Sequence, residues 1–230
     1  MKEFVGLEKL SLVDFDGKMA CTIFVEKCNF RCPFCHNKDL ALASNTKEIP
    51  FSEIVNFLKK RINKLEGVCI TGGEPTLLDT LEDRIRIIKE MGFLVKLDTN
   101  GYKPDVLKKL IDLKLIDYVA MDIKNSLGKY NLTTGCNNID TSKIIESINI
   151  LKTSGIDYEF RTTLVDEFHN KSDIIDIASL LKGAKKYYLQ KYVSSEGCFN
   201  KNLHSIDKEI VEEYKEILKE TIDHVELRGY

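Results

Sequence analysis

The chain has 230 residues, 43% of them apolar, with 34 Lys plus Arg against 36 Asp plus Glu for a formal net charge of −2. That much apolar material suits one domain with a single core, burying roughly 70% of the unfolded chain's surface, while balanced charge without a dense Lys/Arg run argues against nucleic acid as a partner. No stretch approaches the ~18 apolar residues of a membrane span, and MKEFVGLEKLSLVDF lacks an apolar run ending in a small-residue cleavage site, so a cytoplasmic protein away from membranes is expected.

Taken in chain order, a β-rich run at 20–26 (ACTIFVE) leads into a cysteine-rich loop, EKCNFRCPFCHNK. A helical face follows at Ile54, Leu58, Ile62 and Leu65, with Ser52 as its expected N-cap. Then come a strand at 67–73, a helix on Leu81, Ile85, Ile88 and Met91 stopped by Gly92, a strand at 93–99 and a helix on Val106, Leu110 and Leu113. A strand at 118–124, a helix on Ile144, Ile148 and Leu151 stopped by Gly155, strands at 158–165 and 186–192, and a last helix capped by Ser205 complete the series. Strands alternating with helices imply right-handed βαβ crossovers and a parallel sheet. Six such units fall short of the eight in a closed barrel, so the expected α/β fold is a partial, open (β/α)6 TIM-like barrel, with a doubly wound sheet as the other option. Residues 1–230 read as one domain, its barrel core at about 18–193 and a C-terminal helix and tail at about 203–230.

In either architecture chemistry gathers at the C-terminal ends of the strands, and the polar motifs fall there. The cysteine loop follows the first strand, GGEP the second, DTNG the third, and DIKN closes the fourth. Cys28, Cys32 and Cys35 sit within eight positions, and seven cysteines in a reducing compartment point to thiolate chemistry over a disulfide framework. CPFCH matches the haem-attachment pattern and CPFC a thioredoxin-type pair, but both leave Cys28 without a role. Zinc on three cysteines and His36 asks adjacent side chains, Cys35 and His36, to converge on one tetrahedral ion. A [4Fe–4S] cluster held by three thiolates, with one iron left open for a small molecule, uses all three cysteines. The remaining four, Cys21, Cys69, Cys136 and Cys198, are expected as packing thiols, with Cys136 and Cys198 the most apt to differ because they lie in polar loops.

C-x3-C-x2-C followed one βα unit later by GGEP resembles the radical S-adenosylmethionine (SAM) superfamily. The resemblance implies that Cys28, Cys32 and Cys35 are the metal ligands and carry the cluster-mediated catalysis, that the open iron binds SAM, and that SAM is cleaved to a 5′-deoxyadenosyl radical. It implies SAM contacts for Phe34 against the adenine, for Gly72 and Gly73 by close backbone approach, and for Glu74 on the methionine ammonium. Asp98, Asp122 and Lys124 resemble the strand-end residues of glycyl-radical-enzyme activases, the acids near the ribose and a monovalent cation, the lysine near the carboxylate. Arg161 is implied to face SAM, with Gln190 a weaker choice. The opening GLEKLSLVDFDGKMACTIFVEKCNFRCPFCHN, and the chain as far as VELRG, is similar to the activating proteins of anaerobic ribonucleoside-triphosphate reductase, although Asp14, Phe15, Asp16 and Gly17 stand where relatives often carry Asp-Tyr-Pro-Gly. The implied partners are a glycyl-radical enzyme, that reductase foremost, and a flavodoxin or ferredoxin as electron donor. A different radical SAM enzyme, such as another activase or one of deazaguanine-synthase type, and more distantly a zinc-binding module without activity, are the alternative readings.

Overall fold

The computed structural model describes residues 2–230, and all six expected strands are present, with one more at each end. In chain order they are β1 (Phe4–Ser11), β2 (Ala20–Val25), β3 (Gly67–Gly72), β4 (Leu94–Thr99), β5 (Tyr118–Asp122), β6 (Asp157–Leu164), β7 (Lys186–Lys191) and β8 (His224–Arg228). Their order in the sheet is the order in the chain, so β1 and β8 are its two ends and the sheet is not closed. The helices are α1 (Lys38–Leu42), α2 (Phe51–Lys59), α3 (Leu81–Glu90), α4 (Pro104–Asp112), α5 (Tyr130–Thr134), α6 (Thr141–Thr153), α7 (Lys171–Leu180) and α8 (Lys208–Lys219). The Cα positions divide into two compact units, one of residues up to 29, 39–99 and 105–120, the other of 30–38, 100–104 and 121–230.

In the first unit β2, β3 and β4 are parallel and β1 pairs antiparallel with β2 through two register shifts. β1 escapes the apolar pattern because Glu8, Lys9 and Leu10 are exposed, as suits a strand at a sheet end. β2 and β3 are buried along nearly their whole length, the pattern of strands covered on both faces. Ile54 and Leu58 of α2 and Leu81, Ile85 and Ile88 of α3 are fully buried, each burial worth about 1.5–3 kcal/mol. Helix ends depart from expectation. Pro50 caps α2 and Ser52 lies inside its first turn, because Pro supplies a fixed φ at a helix start without needing a donor. In α4 Pro104, Leu107 and Leu110 are buried, while Leu113, just past its end, is 41% exposed. Gly92 does take the left-handed conformation, φ +88°, just past α3. Phe15, in the β1–β2 turn, is buried with Ala20 and Tyr118, and any side chain at Gly67 would lie 2.8 Å from its ring.

In the second unit β6, β7 and β8 are parallel, with Arg161 opposite Tyr188, Thr163 opposite Gln190 and Gln190 opposite Arg228. The expected tail is therefore a helix followed by a strand. Asp207, not Ser205, stands at the N-cap of α8, and Val211, Tyr214 and Leu218 form its buried face. α7 opens with a capping box in which Asn170 Oδ1 accepts from the Ser172 and Asp173 N–H groups and Asp173 Oδ2 accepts from Asn170 N–H.

Candidate functional site

In the first unit GGEP grips the root of the cysteine loop. Gly73 N–H donates to Val25 O at 2.9 Å and Glu74 N–H to Lys27 O at 2.7 Å, while Lys27 and Cys28 N–H donate to Leu40 and Ala41 of α1. Gly72 has φ +114°, and a Cβ there would lie 2.6 Å from Val25 O; a Cβ on Gly73 would collide with Lys27 O and sit 2.5 Å from Lys27 C. Here the paired glycines let backbone approach backbone. The Glu74 side chain is 1% exposed, and its Oε1 accepts from Thr76 N–H (3.1 Å), Thr76 Oγ1 (2.5 Å) and Thr99 Oγ1 (2.7 Å). Asp98 Oδ2 accepts from Thr71 Oγ1 at 3.2 Å and its Oδ1 lies 3.4 Å from Lys96 Nζ. That buried lysine also donates to Asp14 O at 2.5 Å.

In the second unit the loop from Phe30 to Lys38 is tied down on several sides. Arg31 N–H donates to Thr134 O, Cys35 N–H turns back to Cys32 O, Asn200 N–H donates to Pro33 O, and Lys38 N–H donates to Gly197 O. A Cβ at Gly135 would strike Arg31 O, and one at Gly197 would strike His36 O. Phe34 is buried, its ring 6.2 Å from that of Phe168. Cys198 is buried with Sγ 3.9 Å from Phe34 O, and Cys136 is half-buried. Residues 194–202 thus pack on the cysteine loop.

Asp122 and Lys124, two residues apart, meet at 2.9 Å, and Arg161 Nε donates to the other Asp122 oxygen at 3.0 Å. Burial pushes the Asp122 carboxyl up, but the charges and hydrogen bonds of Lys124 and Arg161 outweigh it and hold the pKa at about 2. Lys124 is pulled down by burial, the largest single influence, but the charge and hydrogen bond of Asp122 together with Cys32 and Cys35 raise it further, so it remains an ammonium. The Cys35 thiol is raised by burial, with Lys124 acting against it. Lys124's backbone is clamped as well: its N–H donates to Tyr130 Oη at 3.2 Å and its carbonyl meets His169 Nε2 at 3.0 Å. The Lys124 carbonyl can only accept, so Nε2 carries the proton, and Nδ1, 3.1 Å from both Val165 N and Val165 O, accepts from the Val165 N–H in the neutral ring, which burial favours by lowering the pKa. Tyr130 and His169 were not visible in the sequence as site residues, since neither lies in a motif; the helix start that follows His169 was the nearest signal.

Cys32 and Cys35, two of the three expected sulfur donors, share one electrostatic environment with the Lys124 ammonium, which acts against the rise that burial imposes on the Cys35 thiol. No three His, Cys, Asp or Glu side chains among the described residues crowd one point as a mononuclear site requires; a four-iron cluster makes a different demand, one thiolate on each of separate irons.

The Radical SAM superfamily model matches residues 22–181. Over 235 residues the chain is 35% identical to a Methanocaldococcus jannaschii protein named as a candidate glycyl-radical enzyme activating enzyme, MJ1227, covering 99% of this chain and 97% of that one. It is 26% identical to the pyruvate formate-lyase-activating enzyme of Clostridium pasteurianum, covering 95% and 97%. Its fold matches Streptococcus suis SuiB bound to S-adenosylmethionine with a TM-score of 0.68 at 15% identity, over 88% of this chain and 48% of that one. A [4Fe–4S] cluster and SAM are the cofactors of such enzymes, and the chain belongs to the radical SAM superfamily, in the branch of the glycyl-radical enzyme activating enzymes.

Proposed function

We propose that the protein is the activase of a glycyl-radical enzyme, anaerobic ribonucleoside-triphosphate reductase foremost, working as one functional domain in the cytoplasm. The observation that carries this reading is the clamp of Gly73 and Glu74 N–H on Val25 and Lys27, which ties the GGEP turn to the root of the cysteine loop. Cys28, Cys32 and Cys35 would hold the cluster. When bound, the reduced cluster and SAM supply a 5′-deoxyadenosyl radical by cleavage of the C5′–S bond. Glu74, its carboxylate already aimed by Thr76 and Thr99, receives the methionine ammonium through a charge-assisted bond. Lys124 would meet the methionine carboxylate, Asp98 and Asp122 would serve the ribose and a monovalent cation, Arg161 would face SAM, and Phe34 would border the adenine. Gly72 and Gly73, whose missing side chains leave room that Val25 and Lys27 backbone fills, would serve SAM indirectly, by holding Glu74 at the root of the cysteine loop.

A glycine α-hydrogen suits such a radical, because amide nitrogen and carbonyl share the unpaired electron of the product and no side chain obstructs approach. The partner must expose that glycine locally, and a flavodoxin or ferredoxin delivers the electron at the low end of iron–sulfur potentials. No helix among the described residues is long and apolar enough to cross a membrane.

The test is to incubate the reconstituted protein anaerobically with SAM, a reductant and the reductase, and to record EPR spectra. A glycyl doublet on the reductase is expected. A doublet on pyruvate formate-lyase instead would move the partner to the one named for the C. pasteurianum relative, and no doublet on either, with turnover of a small molecule, would remove the activase assignment.

A further inference from the structure

Glu159 and Arg161 leave the same face of β6, two residues apart, and Arg161 has two carboxylates within reach. Its Nε donates to Asp122 Oδ1 at 3.0 Å, and its Nη1 stands 3.9 Å from Glu159 Oε1. The Glu159 side chain is only 1% exposed, so without neutralisation its charge would draw the nearest guanidinium strongly. Arg228, from β8, meets that demand. Its Nη1 and Nη2 donate to the two Glu159 oxygens at 2.9 and 3.1 Å, the bidentate fork that lysine cannot form. Its guanidinium also lies 3.4 Å from the centre of the Tyr188 ring, and this stacking orients the fork. Five charges of alternating sign follow one another in consequence: Arg228, Glu159, Arg161, Asp122 and Lys124.

We propose that Arg228 is a positioning residue for SAM binding. By occupying Glu159 it leaves Arg161 turned to Asp122, and through Asp122 it keeps Lys124 in place. The last strand of the chain is in this way coupled to residues near the cysteine loop. The inference rests on the proposed assignment of Arg161, Asp122 and Lys124 to SAM.

The experiment measures equilibrium SAM binding to the cluster-loaded protein, alongside its melting temperature, for the parent, Arg228→Gln, Arg228→Gln with Glu159→Gln, and Arg161→Gln. Arg228→Gln is expected to weaken SAM binding about tenfold, and the double variant to return within about twofold of the parent, because a neutral amide at 159 no longer draws Arg161 away. A merely structural role would lower the melting temperature and leave the affinity where it was. Unchanged affinity in Arg228→Gln, or a loss that persists in the double variant, overturns the proposal for Arg228 when Arg161→Gln does weaken binding. Unchanged affinity in Arg161→Gln overturns the underlying assignment and the coupling with it. Should Arg228→Gln fail to fold, Arg228→Lys takes its place: a single ammonium in place of the fork is expected to cost about threefold, and no change overturns the proposal.

Discussion

Replacing Gly73 by Ala isolates what the GGEP turn does for the cysteine loop. The new methyl carbon would collide with the Lys27 carbonyl oxygen and lie 2.5 Å from its carbon, and these are backbone atoms that no rotamer change can move aside. The Glu74 N–H bond to Lys27 O, 2.7 Å long, must open for the chain to accommodate it. Overpacking of this kind costs about 1–3 kcal/mol and the lost hydrogen bond about 1 kcal/mol more, for a total of about 2–4 kcal/mol. In a chain of this size that lowers the melting temperature by about 5–15 °C. The assay is thermal unfolding under anaerobic conditions, with iron quantified after reconstitution, and iron content should fall with stability because the displaced segment is the root of the cluster loop. Gly128→Ala is the control, since a Cβ there meets nothing within 4 Å, and it should remain within about 0.5 kcal/mol of the parent. Parental melting temperature and iron content in Gly73→Ala would refute the clamp.

Cys32→Ala should lose the cluster and SAM cleavage together, checked by iron content and 5′-deoxyadenosine formation. Glu74→Gln keeps an acceptor oxygen for Thr76 and Thr99 but loses the charge, so iron loading should persist while SAM affinity, measured by equilibrium binding, falls by at least about tenfold; an unchanged affinity would return Glu74 to a purely structural role. Asp122, held at about 2 against an ordinary 3.8, contributes stability that is present above the ordinary value and is lost as pH falls through 2. The destabilisation caused by Asp122→Asn should therefore be largest near neutrality and shrink by about 2 kcal/mol towards pH 2, as read by urea unfolding across that range. His169→Ala strands the Val165 N–H and the Lys124 carbonyl in a buried setting, at about 1–3 kcal/mol for each group left unsatisfied, again measurable by urea unfolding.

The sequence by itself determined the six inner strands, the fold class and the cofactor chemistry, because those rest on short-range patterns. Apolar runs such as ACTIFV and YVAMD need only their own composition to read as buried strands, and three cysteines spaced 28, 32 and 35 ahead of GGEP carry their meaning in the spacing. Strands at the sheet ends obey no such pattern. β1 places the adjacent charges Glu8 and Lys9 beside exposed Leu10, and β8 is five residues inside an apparent tail, so pairing partners, not composition, decide both. The helix caps went the same way, since Pro50 and Asp207 prevailed over Ser52 and Ser205 where chain geometry set the starting point. Only the tertiary structure decided that the room beside Gly72 and Gly73 is filled by the protein's own backbone, that His169 holds the Lys124 carbonyl, and that Arg228 reaches Glu159 across 69 residues. Each is a contact between segments distant in the chain, and such contacts depend on register and crossover, which no local run of residues encodes.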